Sequence, residues 1–313
     1  MPPKILVISG PTASGKTRLA AELAALRGGE VVSADSMQIY RRMDIGTAKP
    51  TEEEKRGVPH HMLDVADPEE DFSVARYVDM AARCIDGILA RGRLPILAGG
   101  TGLYIDSLLS GRTFAPFDQN SALRGELEAR YTREGGQALL NELARADPDA
   151  AARLHPNDKK RIVRALEVWL TAGKTITQHN RETAALPPRY DALTLTLDFV
   201  RREDMWTRID RRVDRMMADG LEEEVRALLE SGVPERCTAM QAIGYKELVP
   251  VISGEATAAD AAAQIKLRSR QYAKRQRTWF GRNRAAKFLL WEPAPNFADV
   301  LHASTAYLEE FGI

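Results

Sequence analysis

The sequence predicts an α/β fold: a parallel sheet with a phosphate-binding loop, interrupted by a helical insertion. Three observations predict it. A short apolar run, Ile5–Ile8, leads directly into Gly10-Pro-Thr-Ala-Ser-Gly-Lys-Thr17 and then into a helix-like stretch, the order strand, glycine loop, helix. Further apolar runs ending in small or polar residues follow in the first third of the chain, with helical stretches between them. From about Phe114 to Pro188 the strand runs vanish and helical periodicity takes over.

Taken in order, Ile5–Ile8 is the first strand and the glycine loop follows it. The glycines let backbone N–H groups converge on phosphate oxygens, the following helix N-terminus adds partial positive charge, and Lys16 neutralises the outer phosphates. Gly10, Pro11, Thr12, Ala13, Ser14, Gly15, Lys16 and Thr17 are therefore expected to bind a polyphosphate or a diphosphate, with the Thr17 hydroxyl placed on a Mg²⁺ ion. This makes the core P-loop NTPase-like. Val31-Val32 before Ser33-Ala-Asp35 is the second strand, and Leu94–Leu97 before Gly99-Gly-Thr-Gly102 the third; Val74–Ala90 is the clearest helix between them. Ligands of such sheets sit beyond the carboxyl ends of the strands, so the loop, Asp35 and Thr101 are expected to share one cleft.

The insertion carries helical segments over Ser121–Glu134, Gln137–Ala146 and Asp158–Ala172. Leu193–Phe199 returns to strand character, a long arginine-bearing helix runs from Glu203 beyond Gly220, and Lys287–Trp291 is the last strand. The chain thus divides into the first part of the core (1–113), the helical insertion (114–188), and the second part of the core with a basic C-terminal helix (189–313).

A chain of 313 residues with 44% hydrophobic and 28% charged content describes a soluble globular protein with room for two domains. Lys+Arg and Asp+Glu balance at 44 each, so any attraction to nucleic acid must be local. Cys84 and Cys237 form no Cys-x-x-Cys pair, which gives neither a zinc pattern nor a disulfide framework. No apolar run approaches a membrane span, and a reducing, cytoplasmic setting is expected.

Charge is nevertheless concentrated. Between Gln264 and Lys287 lie Lys266, Arg268, Arg270, Lys274, Arg275, Arg277, Arg282, Arg284 and Lys287, with no acidic residue among them. On a helix, Lys266, Arg270, Lys274 and Arg277 form one stripe, and Ile265, Tyr272 and Trp279 form an apolar stripe expected to face inward. The basic stripe either pairs with carboxylates elsewhere or contacts a phosphate backbone, and the second reading is preferred. A second cluster, His155-Pro-Asn-Asp-Lys-Lys-Arg-Ile-Val-Arg164, places Lys159, Lys160, Arg161 and Arg164 in the first turns of a helix capped by Asn157 or Asp158. Cations there oppose the helix dipole, which again favours an anionic partner.

Asp35 is open to three readings: a Mg²⁺-holding carboxylate, a general base for an incoming nucleophile, or a capping residue. Asp198, at the end of the fourth strand, rivals it for the metal. Thr101 begins a helix and offers both a hydroxyl and the helix N-terminus, or acts simply as a cap. His60-His61 has no third ligand and is expected to be structural or substrate-lining. Arg208 and Arg212 share a helix face and could grip a diphosphate or form surface ion pairs.

Several motifs in one order then converge. Gly10-Pro-Thr-Ala-Ser-Gly-Lys-Thr17, Asp35-Ser-Met-Gln-Ile-Tyr40, Asp44-Ile-Gly-Thr-Ala-Lys-Pro50, Pro59-His-His-Met-Leu-Asp64 and Gly99-Gly-Thr-Gly-Leu-Tyr104 resemble the tRNA dimethylallyltransferase (tRNA isopentenyltransferase) family. Asn157-Asp158 leading to Arg161 and Arg164-Ala-Leu-Glu167, Ile243-Gly-Tyr-Lys-Glu247, and Tyr272-Ala-Lys-Arg-Gln276 followed by Thr278-Trp279 agree with it. The resemblance runs from Lys4 to about Arg282. It implies that the phosphate loop holds the diphosphate of dimethylallyl diphosphate and that the five-carbon group passes to N6 of the adenosine 3′-adjacent to the anticodon. It also implies that Asp35 is the general base, with Thr101 a nearby catalytic contact. Ser36, Met37 and Gln38 would contact the base, and Lys159, Lys160, Arg161, Ile162 and Val163, with the family arginine at Arg124, would contact the tRNA. Lys274, Arg275 and Arg277 join that tRNA surface through the charge pattern, Arg208 joins the diphosphate site, and a monomer is expected. A small-molecule P-loop kinase shares the loop and Asp35 but leaves both basic clusters unexplained. A non-catalytic RNA-binding protein is the other rival.

Overall fold

The computed structural model describes residues 2–111, 114, 122–293 and 296–313. The chain forms two compact units, one from Met1–Leu109 together with Arg189–Ile313 and the other from Ser110–Pro188.

In the first unit, β1 (Lys4–Ser9) leads through the glycine loop into α1 (Lys16–Arg27). Then come β2 (Glu30–Ser33), α2 (Glu52–Lys55), the two-residue β3 (His60–His61), α3 (Val74–Ala90), β4 (Pro95–Ala98) and α4 (Gly102–Leu109). The second unit holds α5 (Ala122–Glu134), α6 (Gly136–Ala146), α7 (Pro148–Ala151), α8 (Lys159–Ala172) and α9 (Ile176–Ala184). Ser121, the expected start of its first helix, lies outside the described residues. The first unit resumes with β5 (Asp191–Phe199), α10 (Arg202–Ala218), α11 (Leu221–Glu230), α12 (Tyr245–Ile252), α13 (Ala258–Phe280), β6 (Lys287–Trp291) and α14 (Phe297–Phe311).

The six strands make one all-parallel sheet in the order β3-β2-β4-β1-β5-β6. Parallel strands covered by helices on both faces read as continuous apolar runs, which is why Ile5–Ile8 shows no alternation. Ile5 and Val7 enter one apolar layer with Leu97, Tyr77 and Ile85; Leu6 and Ile8 enter the other with Leu19, Leu23, Ile96 and Leu195. The helical unit has its own core of Leu127, Leu139, Leu143, Ile162 and Leu166.

Two expectations are corrected here. The arginine-bearing helix does not run through Gly220: that residue adopts φ 99°, a conformation open to glycine, and separates α10 from α11. β3 was not expected, because two residues give no periodicity. Its histidines are structural, with His60 Nδ1 against the Val58 carbonyl at 2.9 Å and His61 Nε2 on Glu30 at 2.7 Å. Among the described residues no helix is long and apolar enough to cross a membrane.

Candidate active site at the strand ends

The loop between β1 and α1 is a backbone cup. Gly10 (φ 144°) cannot be another residue, since a Cβ there would lie 2.3 Å from the Leu197 carbonyl oxygen on the neighbouring strand. Ala13 takes a left-handed φ of 61°, a strained conformation for a residue with a side chain. Thr12, Ala13, Gly15, Lys16 and Thr17 border the cavities above the sheet, whereas Gly10, Pro11 and Ser14 are buried beneath them. Ser14 Oγ is buried without a hydrogen-bond partner, and its carbonyl accepts Trp291 Nε1 at 2.8 Å.

Three connected sets of residues line the space beyond the strands. A cavity of about 710 Å³ is bordered by Ala13, Gly15, Thr17, Lys49, Arg208 and Arg212. One of about 330 Å³ is bordered by Asp35, Met37, Arg212, Met216, Tyr272 and Arg275. A narrow one of about 80 Å³ joins Lys16, Thr17, Asp35, Gln38, Arg212 and Gln276. Asp35 and the loop therefore share a cleft, as their positions at strand ends require. Asp35 Oδ1 accepts the Met37 N–H at 2.9 Å, which fixes the carboxylate at the rim. Thr101 Oγ1 accepts the Ser36 N–H at 3.0 Å and donates to Ser36 Oγ at 3.3 Å, so the threonine holds the segment after β2 against the start of α4.

Lys16 Nζ donates to the Pro11 carbonyl at 2.7 Å. Protein atoms surround it and Arg212 stands nearby, so burial and that second cation push its pKa down to about 7, against the opposing pull of Asp35. Arg212 is likewise lowered by burial and sustained by Asp35. The site thus gathers two part-buried cations and one carboxylate around the cavity at the strand ends, an arrangement suited to an anion.

Arg212 borders all three cavities, whereas Arg208 borders only the largest and lies over the rings of Trp291 (4.7 Å) and Phe199 (5.4 Å). Gln276 was not expected in the site. Buried on α13, it accepts the Thr12 N–H (2.8 Å) through Oε1 and donates through Nε2 to the Gly100 carbonyl (2.9 Å), tying the phosphate loop to the end of β4. Gln38 is placed at the cleft, yet its amide is engaged internally: Oε1 accepts Ser33 Oγ at 3.0 Å and Nε2 donates to the Thr47 and Ala48 carbonyls at 3.3 and 3.1 Å.

The basic stripe of α13 is largely neutralised, against expectation. Lys266 pairs with Asp214 (2.5 Å), Arg270 with Asp210, and Arg277 with Asp198 (2.8 Å). The Asp198 carboxylate is thereby taken up by an arginine. Lys274 and Arg275 stay exposed, Arg275 beside the Tyr272 ring at the cavity edge. Of the expected inward stripe, Ile265 is buried and Tyr272 borders the cavity, but Trp279 is 37% exposed and donates Nε1 to Asp106 at 2.8 Å. The indole is amphipathic enough to lie along the surface.

In the helical unit, Lys160 and Arg161 are exposed on α8, and Lys159 lies 5.6 Å from the Tyr131 ring centroid. Ile162 and Val163 are fully buried in that unit's core, so their side chains are packing residues and offer no surface to a partner. Arg124 is only 15% exposed in its side chain and stands 3.8 Å from Glu167. Asp158 is the N-cap residue of α8, but its carboxylate accepts the His155 N–H at 3.0 Å and makes no bond to the helix's first turn.

Comparison with known proteins agrees with this geometry. The family model described as IPP transferase matches residues 38–284, and that described as isopentenyl transferase matches residues 3–70. Over 306 residues the chain is 46% identical to tRNA dimethylallyltransferase 1 of Trichlorobacter lovleyi, covering 98% of this chain and 99% of that one. The crystal structure of a tRNA delta(2)-isopentenylpyrophosphate transferase from Staphylococcus epidermidis superposes with a TM-score of 0.72 at 40% identity, covering 98% and 99% of the two chains. A eukaryotic dimethylallyltransferase captured acting on tRNA superposes with a TM-score of 0.84 at 28% identity, covering 98% of this chain and 80% of the other.

Proposed function

The chain belongs to the IPP transferase family, a tRNA-modifying prenyltransferase, and from that premise we propose how its residues carry out the transfer. The donor is dimethylallyl diphosphate and the acceptor is N6 of the adenosine 3′-adjacent to the anticodon. The observation that carries this reading is a carboxylate, Asp35, lining the same narrow cavity as the phosphate-loop residues Thr12, Lys16 and Thr17 and a second cation, Arg212.

The C1–O bond of the donor breaks as the N6–C1 bond forms, the proton on N6 passes to the Asp35 carboxylate, and diphosphate leaves. Loop N–H groups, Lys16 and Arg212 stabilise the charge that grows on the leaving oxygens. Arg208 stands farther along the same wall and meets the outer phosphate. The adenine amine is a weak nucleophile, so a base within hydrogen-bond reach contributes directly to the rate. The base must be turned out of its stack to reach the cleft, at a cost of a few kcal/mol. Thr101 keeps Ser36 and Asp35 in register for it.

The Thr17 hydroxyl borders the narrow cavity together with Lys16 and Asp35, a hard-oxygen setting that suits Mg²⁺. Among the described residues no group of three or more His, Cys, Asp or Glu could hold a metal alone, so diphosphate oxygens would supply most of its ligands. When bound, Mg²⁺ would add positive charge beside the leaving group. A monomer is proposed as the working state, and size-exclusion chromatography of the active protein checks it.

The decisive test is mass spectrometry of nucleosides from tRNA incubated with the protein and dimethylallyl diphosphate. One five-carbon unit gained on adenosine is expected, and turnover of ATP without tRNA alkylation would overturn the reading. Neutralising Lys274 and Arg275 together is expected to weaken tRNA binding and to flatten the slope of log K against log[salt] by about 1.5 to 2, measured by filter binding. Lys16 adds a pH effect. A diphosphate restores its proton, so affinity for the donor is expected to decline as pH rises above about 7. Close to one proton should be taken up per site at about pH 8.5, read by calorimetry in buffers of different ionisation enthalpy.

A further inference from the structure

The segment from Asp44 to Ala48 borders both larger cavities, and its own turn bonds, Thr47 Oγ1 to the Met43 carbonyl at 2.7 Å and the Ala48 N–H to the Ile45 carbonyl at 3.0 Å, shape it without tying it to the rest of the site. It is held from α11. One carboxylate oxygen of Glu224 accepts the N–H groups of Asp44 and Ile45, each at 2.8 Å. The other accepts the Gly46 N–H at 3.1 Å and the Tyr245 hydroxyl at 2.6 Å. Three successive backbone donors thus converge on one side-chain anion, the geometry that elsewhere binds a phosphate. Packing leaves no room there either: a Cβ at Gly46 would lie 2.4 Å from the Tyr245 ring and 2.8 Å from Leu221.

The far end of this segment faces the reacting groups. The Thr47 carbonyl accepts Arg212 Nη2 at 3.4 Å, and the Thr47 and Ala48 carbonyls accept Gln38 Nε2. We propose that Glu224 is a positioning residue for the transfer: it fixes the 44–48 segment, whose carbonyls hold Arg212 and Gln38 in place beside Asp35. The proposal rests on the assignment of Arg212 to the diphosphate. Glu224 touches no substrate; it acts through the segment. Charge-assisted N–H···carboxylate bonds are strong enough to hold a loop whose carbonyls must stay within a few tenths of an ångström.

The test compares wild type, Glu224→Gln, Arg212→Lys and the double variant in steady-state alkylation of tRNA, with melting temperature and tRNA binding measured alongside. A carboxamide presents an NH₂ group to N–H donors, so the segment relaxes. The Glu224→Gln variant is expected to lose roughly ten- to a hundredfold in kcat/KM for dimethylallyl diphosphate, with tRNA affinity held within about twofold. Because Glu224 works through Arg212, the double variant should lose much less than the product of the two single losses. Unchanged kcat/KM, or strictly multiplicative losses, would overturn the proposal, as would a loss of tRNA binding equal to the loss of rate. Should Glu224→Gln fail to fold, Tyr245→Phe removes only one of the four donors and is expected to show a smaller loss, again less than multiplicative with Arg212→Lys; multiplicative losses there overturn the proposal equally. A wild-type protein that does not alkylate tRNA would instead sink the assignment of the reaction itself.

Discussion

An Asp35→Ala variant is expected to bind tRNA with near-native affinity and to alkylate it roughly a hundred to ten thousand times more slowly, the range a positioned general base contributes. The carboxylate is the only acidic group bordering the narrow cavity between Lys16 and Arg212, so no neighbour can take its place among the residues described there. Its Oδ1 also accepts the Met37 N–H, which makes Asp35→Asn the more informative partner variant. The amide keeps that acceptor and the local turn but cannot take a proton at neutral pH. Both variants should therefore lose rate alike while differing in stability. Rapid-quench measurement of single-turnover alkylation separates this from slow product release, and single-turnover rates within about threefold of wild type for both would remove Asp35 from the base role.

The second large effect concerns Lys16. Replacing it by Met removes the cation nearest the loop carbonyls, and a loss of roughly two to three powers of ten in kcat/KM for dimethylallyl diphosphate is expected, as for other preorganised charges at a leaving group. The folded apo protein should behave in the opposite sense. Lys16 is desolvated beside Arg212, and its pKa falls from the ordinary 10.5 to about 7. Between those two pH values the unfolded chain binds the extra proton, so this group's contribution to stability grows as pH rises and is least favourable below about 7. Met at this position removes that penalty. Thermal melts of the apo variant should show a midpoint at or above that of the wild type at pH 6, with the difference shrinking toward pH 9. A midpoint several degrees lower at pH 6 would mean that Lys16 stabilises the empty loop. Function and stability oppose each other at this residue.

Much of the site was legible in the order of residues along the chain. The glycine loop carries its own geometry, and Asp35 follows an apolar run, which in a parallel sheet is enough to place it in the loop's cleft; Thr101, after the next run, holds the neighbouring Ser36. What the order of residues does not carry depends on distant partners. Whether a basic stripe is free cannot be read from the stripe: Asp198 lies 79 residues before Arg277 and Asp210 lies 60 before Arg270, on elements that only folding brings alongside. The same holds for Gln276, whose role arises because a polar residue on a helix face meets two strand-end loops 264 and 176 residues away. A neutral glutamine among so many cations gave no signal, although its position four residues after Tyr272 placed it on the inward face. Ile162 and Val163 sit within a basic run, but their apolar side chains follow helical spacing with Leu166 into the core, and that periodicity was the better guide. Between Arg208 and Arg212, helix geometry alone gave one shared face; the aromatic rings of Trp291 and Phe199 decide which guanidinium turns outward.

Placing the helical unit between α4 and β5 has a consequence for biosynthesis. The central strand β1 pairs on one side with β4 and on the other with β5, and the buried hydroxyls of Ser9 and Thr196 that meet across the second pairing are 187 residues apart. A nascent chain that has emerged only as far as Leu109 therefore presents β1 as an open edge, apolar on both faces and unable to close until the ribosome has delivered the whole insertion. Closure entropy over so long a span slows the step further. N-terminal fragments ending before β5 should accordingly aggregate, and chaperone capture should peak during translation of residues 110–188.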